Sequence, residues 1–211
     1  MSKKELLHIT KHTDNTKMDL MQSISTNCLC NKRCIARAKN PDTICSHCYA
    51  ATAEKRFSGL NKNTSENAEV LKNIIPMEEL PQLNVIFFRF EAFGDLFCKN
   101  QVINYFNICK KNPFTHFALW TKNPDFIDAA IKAGYSKPEN LTIVFSGYFT
   151  DKANKIPEKY NYFIDKIFNV WTSEEKALAA GKTVNCGKLH CINCLKCYLK
   201  NDITEINELL K

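Results

Sequence analysis

Hydrophobic and polar positions along this chain alternate between two rhythms. Apolar runs rich in β-branched and aromatic residues at 84–90 (NVIFFRF), 115–121 (THFALWT) and 140–146 (NLTIVFS) predict buried strands, and a weaker run ends at Thr172. Between and around them, helical spacing recurs at 44–57, 65–75, 100–111, 123–134 and 173–181; in the last of these Ser173 has the place of an N-cap and Gly181 that of a C-terminal stop. Strands alternating with helices predict an α/β fold with a largely parallel sheet. At the end of the chain, Asp202 and Glu205 stand at capping-box spacing before Ile206, Leu209 and Leu210, which predicts a short docked helix. No low-complexity linker and no internal repeat interrupts the pattern, so residues 1–211 read as one α/β domain, with 186–197 as a loop inside it.

The strand at 84–90 carries a polar signature. A period of two puts Ile86, Phe88 and Phe90 on one face and Val85, Phe87, Arg89 and Glu91 on the other, so charge enters at the C-terminal end of an otherwise apolar strand. In parallel sheets that end is where ligands bind. Gly94 and Asp95 follow in the loop, with Asp95 placed to accept hydrogen bonds from an amine or a ribose hydroxyl. The plain structural alternative is that Arg89 and Glu91 pair with each other. The next strands bring Trp120, Thr121 and Lys122, and then Ser146, to the same edge; a tryptophan there is more often core than a stacking platform.

With 211 residues and 45% hydrophobic content, the chain can bury a core without covalent staples. It has no apolar run of signal-peptide length at its start, and nothing approaching the roughly 18 apolar residues of a membrane span. The expected setting is therefore cytoplasmic, with no membrane partner. The net charge of +7 comes from scattered lysines, Lys3 and Lys4 among them, and reads as a solvated basic surface; nucleic acid is permitted as a partner but only weakly supported.

The cysteines change this picture. There are 11, an odd number, and they are clustered. In a reducing compartment clustered thiols point to metal rather than to disulfides. Cys186, Cys191, Cys194 and Cys197 follow the spacing C-x4-C-x2-C-x2-C. Zinc sites usually come as two C-x2-C pairs with a long spacer, whereas thiols repeated two apart wrap an iron–sulfur cube. A [4Fe–4S] cluster on all four is the favoured reading, and zinc is the alternative. A second group comprises Cys34, Cys45 and Cys48, with Cys28 and Cys30 as possible additional ligands. Cys45 and Cys48 lie where a helix begins, a position that favours thiolates. A fourth thiolate would close this centre, while three would leave one iron open to a substrate or cofactor. Cys98 and Cys109 read as small buried hydrophobes.

These motifs together resemble a known family. A C-x2-C-Y ending at Tyr49, the strand end FRFEAFGDL, then LWTKNP, then NCG followed by C-x2-C-x2-C-Y ending at Tyr198 are similar to the phage-associated family called gene product 88, from about Ser23 to Tyr198. The resemblance implies a phage or mobile-element origin, and hence the cytoplasm of a phage-infected or phage-carrying host cell. More distantly, the arrangement is similar to radical S-adenosylmethionine enzymes, whose partial (β/α) barrel holds a cluster on three cysteines after the first strand. That similarity implies Cys34, Cys45 and Cys48 as the triad, with Arg89, Glu91, Gly94, Asp95, Trp120, Lys122 and Ser146 around S-adenosylmethionine and an unknown substrate. It also implies an auxiliary cluster at the C-terminal cysteines and an external electron donor. The spacing departs from that family, with C-x10-C-x2-C from Cys34 to Cys48 in place of C-x3-C-x2-C.

Overall fold

A computed structural model describes residues 6–13 and 16–210, so Lys3 and Lys4 lie outside the described residues. Seven strands form one sheet in strict sequence order. They are β1 (Thr10–Lys11), β2 (Gln22–Ile24), β3 (Phe87–Phe90), β4 (His116–Thr121), β5 (Leu141–Thr150), β6 (Lys166–Trp171) and β7 (Glu205–Leu209). The first pair is antiparallel and every later pair parallel. The α/β class and the largely parallel sheet expected from the sequence are thus what the chain forms.

A parallel neighbour can be reached only by a crossover, and right-handed crossovers in sequence order all pass over the same face. The helices in these crossovers are α1 (Lys32–Ala38), α2 (Tyr49–Arg56), α3 (Ser58–Leu71), α4 (Lys99–Lys111), α5 (Pro124–Lys132) and α6 (Glu174–Ala179), while the single turn α7 (Cys191–Cys194), also before β7, packs on the opposite face. Their starts have local causes. The Asn31 side chain accepts from the backbone of Arg33 and Cys34 to cap α1, Pro124 occupies the first turn of α5, and Ser173 accepts from Lys176 N to cap α6, as its sequence position implied.

The main core lies between the sheet and the helices. Ile24, Phe88, Phe90, Phe117, Leu119, Ile143, Phe145 and Ile167 meet Leu71 of α3, Val102, Ile103 and Phe106 of α4, and Ile127 and Ala130 of α5. The alternate residues Phe87, Ala118 and Trp120 face the other way. They pack with Met18, Met21, Ala92 and Tyr198, and with Cys191, Ile192, Leu195 and Cys197. This second face, called the inner face below, is covered by the segment before β2 and by the cysteine loop that precedes β7.

Two expectations are corrected. The segment from Asn201 onward does not form a helix: Glu205–Leu209 is a strand, in register with β6 from Ile167↔Glu205 to Trp171↔Leu209. Sheet pairing outweighs the local capping signal here, because Ile206 is fully buried on the sheet and Asn207 accepts a hydrogen bond from Trp171 Nε1 at 2.9 Å. The outer side of β7 is occupied too, since Asn185 N and Cys186 N both donate to Asn207 O at 3.0 Å. The second correction concerns Glu91. Its backbone adopts φ 57°, which breaks the strand alternation, so its carboxyl does not share the face of Arg89 and the two do not pair. Among the described residues no helix is long and apolar enough to cross a membrane.

Replacing Asn207 by Ala leaves the Trp171 indole N–H buried without its acceptor. The expected cost is about 1–3 kcal/mol in urea unfolding, with the fold retained; an unchanged midpoint would contradict this role for β7.

Candidate metal centres

The N-terminal cysteines lie in the crossover that leaves β2, beside the C-terminal ends of the parallel strands. Three sets of contacts hold α1 there. Asn31 Nδ2 donates to Asp95 O at 3.0 Å. Arg33 makes a two-pronged pair with Asp125, at 2.6 and 2.7 Å, while stacking on Phe126. Arg37 donates to Asn123 Oδ1 and Lys122 O, with its guanidinium 3.7 Å from Asp95. The following turn is tied to β5 by a bridge between Thr43 and Phe149 and by Thr150 N donating to Asp42 O. Cys34, on α1, is thereby brought near Cys45 and Cys48.

Cys48 is the N-cap of α2, where the sequence placed a helix start. The neighbouring Cys28 side chain and the backbone N–H groups of Ala50 and Ala51 outweigh burial and hold its thiol down. Cys28 moves the opposite way: its bond to Cys48, its burial and the Glu54 carboxylate all push its thiol up. Glu54 Oε2 accepts both Cys28 N, at 3.1 Å, and Cys28 Sγ, at 3.0 Å, and Glu54 Oε1 is buried without a partner. Cys30 is exposed. Of the two additional candidates, the chain therefore brings Cys28 to the triad and leaves Cys30 at the surface. Burial raises Cys34 and Cys45, with Lys122 opposing in both cases.

The polar residues singled out at the strand ends divide into two groups. Lys122 lies within electrostatic reach of Cys34, Cys45 and Cys48, and its ammonium donates to Ser146 Oγ at 2.8 Å. Asp95 is a clamp between strand ends, accepting from Thr121 Oγ1 at 2.6 Å, Lys122 N at 3.0 Å and Leu96 N at 2.8 Å; burial raises its carboxyl. Glu91 is turned toward α4, where it accepts from Gln101 and Tyr105, and it also accepts from Thr26 Oγ1 at 2.7 Å. Gly94, at φ 83°, lets this loop approach β2 so closely that a Cβ would stand 2.2 Å from Thr26 O.

The C-terminal cysteines lie against the inner face. Cys186 accepts from Lys17 Nζ at 3.2 Å, and the same ammonium pairs with Glu208 at 2.6 Å. Cys191 N donates to Lys17 O at 2.7 Å, which fixes the start of α7. Burial raises Cys186, Cys191 and Cys197, and each of these thiols feels Cys194. Tyr198 lies edge-on to Phe87 and Trp120, and Thr142 Oγ1 donates to its carbonyl. Arg89 sits in the middle of the inner face with its guanidinium 3.9 Å from the centre of the Trp120 ring, so Trp120 is a stacking platform as well as core.

All 11 cysteines are free of disulfides, Cys109 is fully buried as expected, and Cys98 is half-buried at the start of α4. Two groups of thiols are thus assembled from distant parts of the chain, a donor set suited to soft metals. Among the described residues no three His, Cys, Asp or Glu side chains close to the spacing of a single bound ion. In donor chemistry alone the residues suit thiolate-bound metal, whose binding would release the protons of the raised thiols. Glu54, Lys17, Arg37, Gln101 and Tyr105 were not found by sequence reasoning, because each reaches its partner across the fold with no local motif.

The family model described as gene product 88 matches residues 9–207. No curated protein and no solved structure matches the chain.

Glu91 generates a pH prediction. Burial above all pushes its carboxyl up to about 8, against an ordinary value of 4.5. The folded chain therefore holds a proton that the unfolded chain has released, so stability is full below about pH 4.5 and falls as pH rises toward 8. The slope is on the order of 1 kcal/mol per pH unit. Glu91→Gln, which retains a neutral amide in the same network, is expected to flatten that slope in urea titrations between about pH 5 and 8. An unchanged slope would assign the dependence elsewhere.

Proposed function

The chain belongs to the gene product 88 family, and we propose that it is an iron–sulfur protein with two [4Fe–4S] centres on a partial (β/α) barrel of the radical S-adenosylmethionine kind. The observation that carries this reading is the placement of the first cysteine group. Six strands run parallel in sequence order, and Cys34, Cys45 and Cys48 come in the crossover after the first of them, near Asp95 and Lys122, which follow β3 and β4, and Ser146 of β5. The C-terminal group has four thiols within electrostatic reach of one another, the number that would occupy every corner of a cluster, which suits an auxiliary or structural centre.

Cys34, Cys45 and Cys48 would hold the cluster, and the chemistry it would supply there is one-electron reduction of the sulfonium of bound S-adenosylmethionine. The chain's own contribution is orientation and exclusion of water. Lys122 and Arg37 supply positive charge beside the triad, Cys48 takes its negative charge at the start of α2, and the Asp95 clamp fixes the ends of β3 and β4 relative to α1. Cys28, whose thiol donates to the buried Glu54 carboxylate, is suited to remain a neutral thiol, which leaves one corner open. A substrate would lie over Arg89, Trp120 and Lys122. Reduction would come from an external donor.

The position of Cys28 also favours a second reading. If it ligates, the first centre is closed, and the protein serves a structural, electron-transfer or host-interaction role without cofactor cleavage. Zinc on either group is the metal alternative, and a zinc-dependent nucleic-acid module is the least supported, given the extensive sheet core.

Anaerobic purification followed by iron and sulfide analysis is expected to give about eight irons per chain, as two four-iron cubes require. Cys28→Ala is expected to leave that content unchanged, and 5′-deoxyadenosine should appear with dithionite and S-adenosylmethionine. Loss of about half the iron in Cys28→Ala, with no deoxyadenosine from the parent, would establish the closed centre instead. Stoichiometric zinc without iron would overturn both readings.

A further inference from the structure

Several partly buried cations in this chain are matched by carboxylates. Lys17 pairs with Glu208, Arg33 with Asp125, Lys137 with Asp165 and Lys182 with Glu205, each at 2.6 Å. Lys166, on the inner face, donates to Asn201 and to a backbone carbonyl. Arg89 differs. Its Nε is buried with no partner, its Nη1 reaches only Met18 Sδ at 3.8 Å, and its remaining contact is the Trp120 ring at 3.9 Å. Among the described residues no carboxylate comes within ion-pairing distance of it. Arg89 keeps part of its surface in water, but a guanidinium whose Nε is buried without a partner is unfavourable unless something anionic lies beside it.

What does lie beside it is thiols and phenols. Cys191, Cys197 and Tyr198 of the C-terminal loop, and Tyr49 of the first cysteine group, lie within electrostatic reach of it. Both C-x2-C-Y motifs thus place their tyrosine within reach of the same cation. Cys191, Cys197 and Trp120 pack in one cluster, and the guanidinium stacks on the Trp120 ring of that cluster. In the metal-free chain these sulfurs are neutral thiols. Four thiolates around a dipositive core, whether one zinc ion or an oxidised iron–sulfur cube, instead leave a dianion.

We infer that Arg89 is the built-in counter-charge of the C-terminal cysteine centre, a positioning residue that is unmatched in the metal-free chain and matched only when the four thiolates hold metal. The inference rests on that group being a metal centre, but not on which metal it takes. It has an unusual signature: removing the charge should act with opposite sign in the two states. A packing residue would act with the same sign in both.

The test uses the full-length chain carrying Cys45→Ser, so that the C-terminal group supplies the metal signal, with Arg89→Met, Arg89→Gln and Arg89→Lys added in turn. Metal per chain, thermal midpoints before and after chelation, and the rate of metal extraction by a chelator are measured. Arg89→Met is expected to raise the midpoint of the metal-free chain, lower that of the loaded chain and speed extraction by on the order of tenfold, while Arg89→Lys stays near the parent. Arg89→Gln should show the same reversal and replaces the Met variant if that does not fold. A loss of stability of equal sign in both states, or unchanged extraction, would overturn the counter-charge role while leaving the centre standing. A parent chain that arrives without metal, and takes up neither zinc nor ferrous iron with sulfide, would overturn the centre itself and the inference with it.

Discussion

Strict sequence order of parallel strands is the constraint from which the rest of this structure follows. A parallel sheet must be covered on both faces, because its strands are apolar on both. When every crossover turns the same way, the helices cover only one of them. The other face has to be covered by chain that is not a regular crossover helix. Here it is covered by the segment before β2 and by the loop between α6 and β7, and that loop carries four cysteines. The cysteine loop therefore completes the packing of the sheet as well as gathering thiols, and Ile192 and Leu195 pack on the same face as its sulfurs.

The two cysteine groups differ in how they are held. The first is held by polar contacts at strand ends: the Asp95 clamp, the Arg33–Asp125 pair and the bridge from Thr43 to Phe149. The second is held largely by apolar packing, with Lys17 as a polar tie to Cys186 and Glu208. Arg89 lies between them because it is the inner-facing residue of β3, a strand near the middle of the sheet order, with Ser23 of β2 and Ala118 of β4 on either side of it in register.

Much of the fold was legible in the sequence because the strands are long apolar runs bounded by helical spacing. The strand ends Phe90, Thr121 and Trp171 and the cap at Ser173 fall where periodicity put them. β1 and β2 were not legible, since two or three residues cannot display a period. β7 was misread because Ile206, Leu209 and Leu210 satisfy a helical spacing as well as a strand, and only pairing with β6 decides between them. In the candidate sites, spacing alone groups the cysteines along the sequence, while among the described residues no three of them close to the spacing of a single bound ion. The turn of Glu91 away from Arg89 was not legible, because it depends on a left-handed backbone at one residue and on partners in α4 ten and fourteen residues later. Cys28 and Cys30 were indistinguishable by sequence; they are separated by Glu54, which buries one and not the other.

The paired donation of Asn185 N and Cys186 N to Asn207 O has a meaning beyond geometry. β7 is the last strand of the sheet, and the free edge of a terminal strand invites pairing with another chain. At the opposite end, β1 is only two residues long and exposed, with Lys11 in it, a poor template for such pairing. At β7 the protection comes from the first residues of the cysteine loop, reinforced by the Asn185 side chain, which bonds Glu205 O and Asn207 N. The segment that begins this thiol group is thus also the guard against intermolecular β-aggregation, so damage to the loop, by oxidation for example, would leave a sticky edge along with an altered thiol group.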